Sequence, residues 1–199
     1  MFSRGIIEEL LFFLKGETDS NQLLKKNVKI WDENTNREFL DNNGFPERKQ
    51  GIMGPMYGYQ WRHFNAEYNE ENGKPKEKGI DQLKNVIDDI RKNPMSRRHL
   101  LTDYNPLQVK NGVLYPCHSI IIQFYVDEGY LDMFCYIRSS DMFLGLPFNI
   151  ASSSMMLVII SSIVGLEPRM VNITLGDAHV YKVHQNHVKE QLNRFRYSL

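Results

Sequence analysis

Residues 114–119 read LYPCHS, and Cys117 is one of only two cysteines in the 199-residue chain. A thiolate attacks electron-poor carbon if the fold exposes it and stabilises its charge. Cys117 reads in two ways: as a small buried hydrophobe ahead of an apolar strand, or as a nucleophile. His118 is a weak partner for it, because neighbouring residues on a strand face opposite ways. A fixed guanidinium is a better activator, since nearby positive charge lowers a thiol pKa. Arg97, Arg98 and Arg138 are candidates for that role. Glu9 is a candidate proton carrier. On a helix turning ~100° per residue, Arg4, Glu8 and Lys15 share a polar stripe, whereas Glu9 falls at the apolar edge between Phe12 and Phe13. Desolvation there raises a carboxyl pKa toward neutrality. The alternative is an exposed glutamate on a surface helix.

Two further stretches concentrate polar groups. YIRSSDMFLGLPFNIAS (136–152) combines Arg138 and Ser139, an acid at Asp141, a Gly-Leu-Pro turn and Asn149 opening a helix. Asp141 and Asn149 also read as local caps. In GDAHVYKVH (176–184), His179 and Tyr181 are two apart, so on an extended segment both face one way, suited to sugar hydroxyls or to a satisfied core pair.

The elements that must position these residues can be read from periodicity. Residues 3–15 predict a helix ending at Gly16. Residues 34–53 read as a long loop or insertion and 65–79 as a surface loop. Residues 80–92 predict an amphipathic helix with Ile80, Leu83, Ile87 and Ile90 inward, ended by Asn93-Pro94. HLLTDY reads as a strand. Residues 119–126 and 130–138 predict a hairpin around Asp127-Glu128-Gly129, with Cys117 at its entrance. A helix over 148–164, buried along its apolar run from Met155 to Leu166, precedes a strand near 170–175 and a helical stretch over 180–193. Mixed helices and strands without strict βαβ alternation predict an α/β fold, a mixed β-sheet with flanking helices.

Composition narrows the class. Acidic and basic residues balance at 24 each, with no basic tail or stripe, which argues against nucleic acid as a partner. The two cysteines fit no zinc spacing and no disulfide framework, so no metal is expected, and free thiols fit a reducing, cytoplasmic setting. The early apolar stretch carries Glu8 and Glu9, unlike a signal peptide, and the 155–166 run is too short for a bilayer, so no membrane is expected either.

In order, the blocks IIEELLFFLKG, IWDE, GPMYGYQWRHF, GIDQL, NPMSRR, PCH, QFYV, RSSDMFLGLPFNIAS and LGDAHVY closely resemble thymidylate synthase, from about residue 4 to Arg194. The resemblance implies reductive methylation of dUMP to dTMP, with 5,10-methylenetetrahydrofolate supplying both carbon and hydride and leaving as dihydrofolate. It implies that Cys117 attacks C6 of the uracil ring and that Glu9 organises proton transfers, with Tyr57 in the same network and His118 as the histidine after the nucleophile. Arg138 and Ser139 match phosphate ligands, and Arg97 and Arg98 match an arginine pair donated across a homodimer interface. Asn149 matches the amide that reads the uracil edge, and His179 and Tyr181 the pair on the ribose 3′-hydroxyl. Asp141 matches the pterin-binding acid, and Trp31, Leu144 and Phe148 the apolar wall against the folate.

The chain departs from the family at several points. Ile137 replaces a usual glutamine, Tyr115 a small residue or proline, and Asp103-Tyr104-Asn105 an Ala-Trp-Asn triplet. The family also has an Asp-Arg-Thr-Gly segment ahead of the first block and a tail beyond Arg194, where this chain reads RFRYSL. Residues 1–199 are therefore expected to be a single thymidylate synthase domain incomplete at both ends, with little turnover as it stands. A dihydrofolate reductase fusion partner is one possible parent. Two other functional readings are a catalytically impaired fragment that keeps the dimer surface and a dCMP hydroxymethylase. Asn149 argues against the latter, since an acid is expected there to read cytosine.

Overall fold

The structure, a computed structural model, describes residues 2–195. Helix α1 (Ser3–Leu14) forms where the apolar periodicity places it. It ends in a left-handed glycine, Gly16 at φ +71°, whose N–H donates to the Phe13 carbonyl while Glu17 N–H reaches back to Phe12. This paired closure satisfies carbonyls that would otherwise be orphaned at the helix end.

Helix α2 (Asn21–Leu24) leads to α3 (Asp32–Thr35) and α4 (Arg37–Asn42), so the expected loop over 34–53 is partly helical. Asn36 divides the two short helices, its side chain accepting from Phe39 N–H at 2.8 Å as the cap of α4. Leu40 then drops fully into the core. Helix α5 (Gly58–His63) carries the aromatic block against α1. A Cβ on Gly58 would lie 2.1 Å from the Phe13 carbonyl oxygen, so only glycine lets the two helices meet this closely.

The polar stretch 65–79 is a surface loop tied by one bridge, Tyr68 to Pro75. Helix α6 (Gln82–Lys92) starts at a capping Asp81, which accepts from Lys84 N–H. Its buried residues are Leu83, Val86 and Ile90. Ile80 lies before the first turn, bridged to Phe64, and is 54% exposed rather than inward.

Strands β1 (Leu100–Thr102), β2 (Ile121–Asp127) and β3 (Tyr130–Asp141) run antiparallel to one another in sequence. The β2–β3 turn uses Glu128 and Gly129, both at positive φ, the backbone a two-residue hairpin requires. Helix α7 (Gly145–Val164) crosses over to β4 (Glu167–His179), which pairs parallel to β3 and gives the mixed sheet order β1-β2-β3-β4. A short 3₁₀ turn and α8 (Gln185–Asn193) complete the described chain. The RFRYSL ending falls outside the described residues beyond Phe195.

Two expectations change here. Helix α7 begins at Gly145, so Asn149 sits in its second turn rather than opening it. It is also buried on one side only: Met156, Leu157 and Ile160 enter the core, while Ile150, Val158 and Ile163 are exposed. Its twenty residues are long enough for a bilayer, but it packs on β3, β4, α1 and α6. The core lies between α1, α5, α6 and α7 and one face of the sheet. On the opposite face, Leu100, Ile121, Tyr125, Phe134 and Tyr136 are exposed.

Candidate active site

Strand pairing assembles the site. Parallel register sets Ser139 beside Asp177 and Asp141 beside His179, so the carboxyl ends of β3 and β4 carry polar residues side by side. Ligands of α/β sheets characteristically bind at such strand ends. Gly176 permits this closeness, because a Cβ there would stand 2.7 Å from the Arg138 carbonyl oxygen.

Cys117 lies in the loop four residues ahead of β2, not in the strand. Its carbonyl accepts Arg138 N–H at 2.8 Å, which ties the loop to β3. The Arg138 guanidinium bonds the Pro116 carbonyl through Nε at 3.2 Å and reaches the Tyr115 carbonyl at 3.5 Å. The arginine anticipated as the thiol's neighbour is thus tied to the backbone of the cysteine loop, through the Cys117, Pro116 and Tyr115 carbonyls. Tyr115 contributes a backbone acceptor while its side chain is half exposed.

From the other side comes Tyr57, which is fully buried. Its hydroxyl accepts Cys117 N–H at 3.2 Å and sits 3.5 Å from Sγ. Burial, then the nearby Cys117 and Asp103, push the phenol pKa well above its ordinary value, so the group stays a hydroxyl. Tyr57 has φ +47°, a strained backbone for a bulky residue, held by packing. Phe13 stacks on its ring at 5.0 Å and His118 at 4.4 Å, with Trp31 tilted against it at 5.9 Å. Burial lowers the His118 pKa to about 4, so the imidazole is neutral.

Glu9 is set apart from Glu8, as its helical angle predicts. Glu8 pairs with Lys26 at the surface. Glu9 instead accepts the Trp31 indole N–H at 2.7 Å, and burial pushes its carboxyl up to about 7, with that hydrogen bond pulling the other way. Such a group exchanges protons near neutrality. Trp31 is buried and is the donor that orients Glu9.

At the far end, Asp141 accepts Phe143 N–H at 3.0 Å and lies 4.0 Å from His184 Nδ1. His179 and Tyr181 meet edge to face at 5.0 Å. Phe148 and Asn149 are half-buried on α7, and Leu144 is exposed ahead of it. Arg97 and Arg98 stay apart from this cluster. They line an exposed hollow with Asp89, Asn93, Met95 and Ser96, and among the described residues neither guanidinium is hydrogen bonded. Among the described residues no group of three or more His, Cys, Asp or Glu could hold a metal.

Three residues near the site were not singled out from sequence. Phe13 stacks on Tyr57, and His184 sits between Asp141 and Tyr181. Asp103 is buried, and among the described residues its carboxylate oxygens have no hydrogen-bond partner. His184 stood within the GDAHVYKVH block and so was within reach; Asp103 stood out in the sequence only as a departure from the family's triplet, and its burial is visible only in the fold. Ile137, replacing a polar residue usual in the family, is an ordinary core side chain at 1% exposure.

Fold and site define a mixed α/β domain with a cysteine loop tied to β3, a buried glutamate whose carboxyl is pushed up to about 7, and a polar strand end. The thymidylate synthase family model matches residues 1–199. The chain is 46% identical over 194 residues to the thymidylate synthase of Ascaris suum, covering 98% of this chain and 66% of that protein. It is 47% identical over 194 residues to that of Homo sapiens, covering 98% of this chain and 62% of that protein. To the bifunctional dihydrofolate reductase-thymidylate synthase of Plasmodium chabaudi it is 49% identical over 197 residues, 99% of this chain and 34% of that protein. The chain belongs to the thymidylate synthase family, and it spans about a third of the bifunctional relatives and under two thirds of the human enzyme.

Proposed function

We propose that this chain carries the catalytic half-site of a thymidylate synthase, converting dUMP to dTMP at the expense of 5,10-methylenetetrahydrofolate. The observation that carries this reading is the clamped Cys117 loop, bonded to Tyr57 on one side and to Arg138 on the other. In this reading Cys117 Sγ adds to C6 of the uracil ring, and electron density moves to C5, which becomes the nucleophile for the folate methylene. C5 then gives up its proton as the tetrahydrofolate nitrogen leaves the new methylene. The folate returns a hydride to that methylene and becomes dihydrofolate, and sulfur is expelled from C6 as the C5–C6 double bond re-forms. Glu9, able to hold or release a proton near neutral pH, serves the pyrimidine and folate proton transfers. Trp31, Leu144 and Phe148 offer apolar surface to the folate and Asp141 a carboxylate to its pterin. Asn149 presents both donor and acceptor to the uracil edge, and His179 with Tyr181 holds the ribose hydroxyl. Arg138 and Ser139 bind the phosphate.

The reading includes a homodimer. Phe134, Tyr136 and Arg138 are alternate residues of β3, so Arg138 shares the exposed sheet face with the apolar residues of β1 and β2. Two copies packed through that face would bring Arg97 and Arg98, just ahead of β1, to the phosphate of the partner's site. A cellular setting without disulfides suits the two free thiols.

The test is intact-mass analysis after incubation with 5-fluoro-dUMP and methylenetetrahydrofolate. A covalent ternary adduct, absent in Cys117→Ser, is expected. No adduct, or one that survives Cys117→Ser, overturns the reading.

A further inference from the structure

Arg97 and Arg98 sit on the link between α6 and β1, and one carboxylate faces both ends of that link. Asp89 lies in the last turn of α6. Its Oδ1 accepts the Asn93 side-chain N–H at 2.9 Å and its backbone carbonyl accepts Asn93 N–H at 2.7 Å, which fixes where the link starts. Its Oδ2 lies 3.2 Å from His99 Nε2, where the link ends. Between the two, Ser96 N–H donates to the Asn93 carbonyl at 2.8 Å and Arg98 N–H to Ser96 Oγ at 3.2 Å, so the chain turns inside this bracket.

His99 brings polar atoms into the core. Its ring is 0% exposed, and among the described residues neither nitrogen completes a hydrogen bond. Buried unpaired nitrogens are costly, and the carboxylate facing Nε2 stands within hydrogen-bond range of it. The Asn93 amide holds the Asp89 carboxyl below its ordinary value, so the partner offered to His99 is an anion. His99 also joins the sheet, its carbonyl accepting Phe124 N–H at 2.8 Å. Alternation along the strand then turns His99 inward and leaves Arg98 and Leu100 outward and exposed.

We propose that Asp89 and His99 are positioning residues for Arg97 and Arg98, clasping the two ends of the link so that the guanidiniums are aimed before a phosphate arrives. Ordering a loop at the moment of binding costs affinity, and a clasp made in advance removes that cost. The clasp matters only if the arginine pair binds phosphate, as read above, and it fixes the sign of the effect. Asp89 is an acid beside the cations, so by charge alone its removal would tighten the binding of an anion. Loss of the clasp weakens that binding instead.

The dissociation constant of dUMP is measured by titration calorimetry in wild type, Asp89→Ala, His99→Leu and Arg97→Ala/Arg98→Ala, with circular dichroism following the fold. Asp89→Ala and His99→Leu are each expected to weaken dUMP binding about threefold to tenfold. Introduced into Arg97→Ala/Arg98→Ala, neither should weaken it further, because residues that act through one group are not additive. Unchanged or tighter binding in Asp89→Ala overturns the proposal. So does an equal loss with and without the arginines, which marks a general loosening of the fold. Asp89→Ala replaces a partly exposed helix residue with a strong helix former, so it decides the question if His99→Leu does not fold. An Arg97→Ala/Arg98→Ala protein that binds dUMP as wild type does overturns the phosphate reading of the pair itself, and the clasp with it.

Discussion

Glu9 balances two opposing influences, burial raising its pKa to about 7 and the Trp31 indole N–H lowering it. A carboxyl raised from 4.5 in this way leaves stability fully present below about pH 4.5, and stability is lost as pH rises to about 7. The shift corresponds to roughly 3 kcal/mol at most. Glu9→Gln is therefore expected to be more stable than wild type at pH 8 and to match it near pH 4, measured by urea denaturation. Trp31→Phe removes the opposing donor and should move the Glu9 titration above 7, readable from the carboxyl carbon by NMR. His118 acts at the other limb. Its pKa is depressed to about 4 by burial, so stability is lost as pH falls from about 6.5 toward 4, and His118→Asn should flatten that limb. Glu9 was legible in the sequence because helical geometry alone separates it from Glu8. Cys117 reads two ways from its neighbours in sequence, because the groups that hold its backbone, Tyr57 and Arg138, are distant along the chain and meet it only in the fold.

Glycines set how closely the elements approach. A Cβ on Gly58 would press on Phe13 Cα at 2.5 Å as well as on its carbonyl, and backbone atoms cannot swing aside as a flexible side chain does. Gly58→Ala is expected to separate α5 from α1, tilt Tyr57 and cost at least about 1–3 kcal/mol, with loss of the 5-fluoro-dUMP adduct before global unfolding. Asn36→Ala offers the contrast. It removes only the cap of α4, so urea denaturation should register about 1 kcal/mol while adduct formation is unchanged. The same elements explain what the sequence conveyed. The α1 end, the β2–β3 turn and the start of α6 carry local signals, namely Gly16, Glu128-Gly129 and Asp81. Helices α3 and α4 are four and six residues long and never complete two turns of pattern. Strand β4 was underestimated because its flanks, Glu167 to Met170 and Gly176 to Ala178, are exposed and break the alternation.

At the scale of the whole molecule, one polypeptide holds two groups of arginines that do not meet. Arg138 stands on the Cys117 loop, bonded to the Pro116 carbonyl, whereas Arg97 and Arg98 line a separate exposed hollow ahead of β1. If a second copy covers the apolar sheet face, a two-fold axis returns the relation, so that each site takes its thiol from one protomer and its arginine pair from the other. This predicts complementation between two defective proteins. Cys117→Ser homodimers lack the nucleophile at both sites, and Arg97→Ala/Arg98→Ala homodimers lack the donated cations at both. After reversible dissociation and mixing in equal amounts, half the dimers are hybrids, and each hybrid has one site with neither defect. About a quarter of all sites should then form the 5-fluoro-dUMP adduct with wild-type dependence on nucleotide concentration, and the label should appear only on the chain that keeps Cys117. Replacing Phe134 with Glu in both proteins places a charge in the middle of the shared face, which should abolish the recovery by preventing the hybrid from assembling. Recovery absent from the mixture while sedimentation still shows hybrids would assign Arg97 and Arg98 to their own chain's site. Full adduct formation by the Arg97→Ala/Arg98→Ala homodimer alone would remove them from the phosphate altogether.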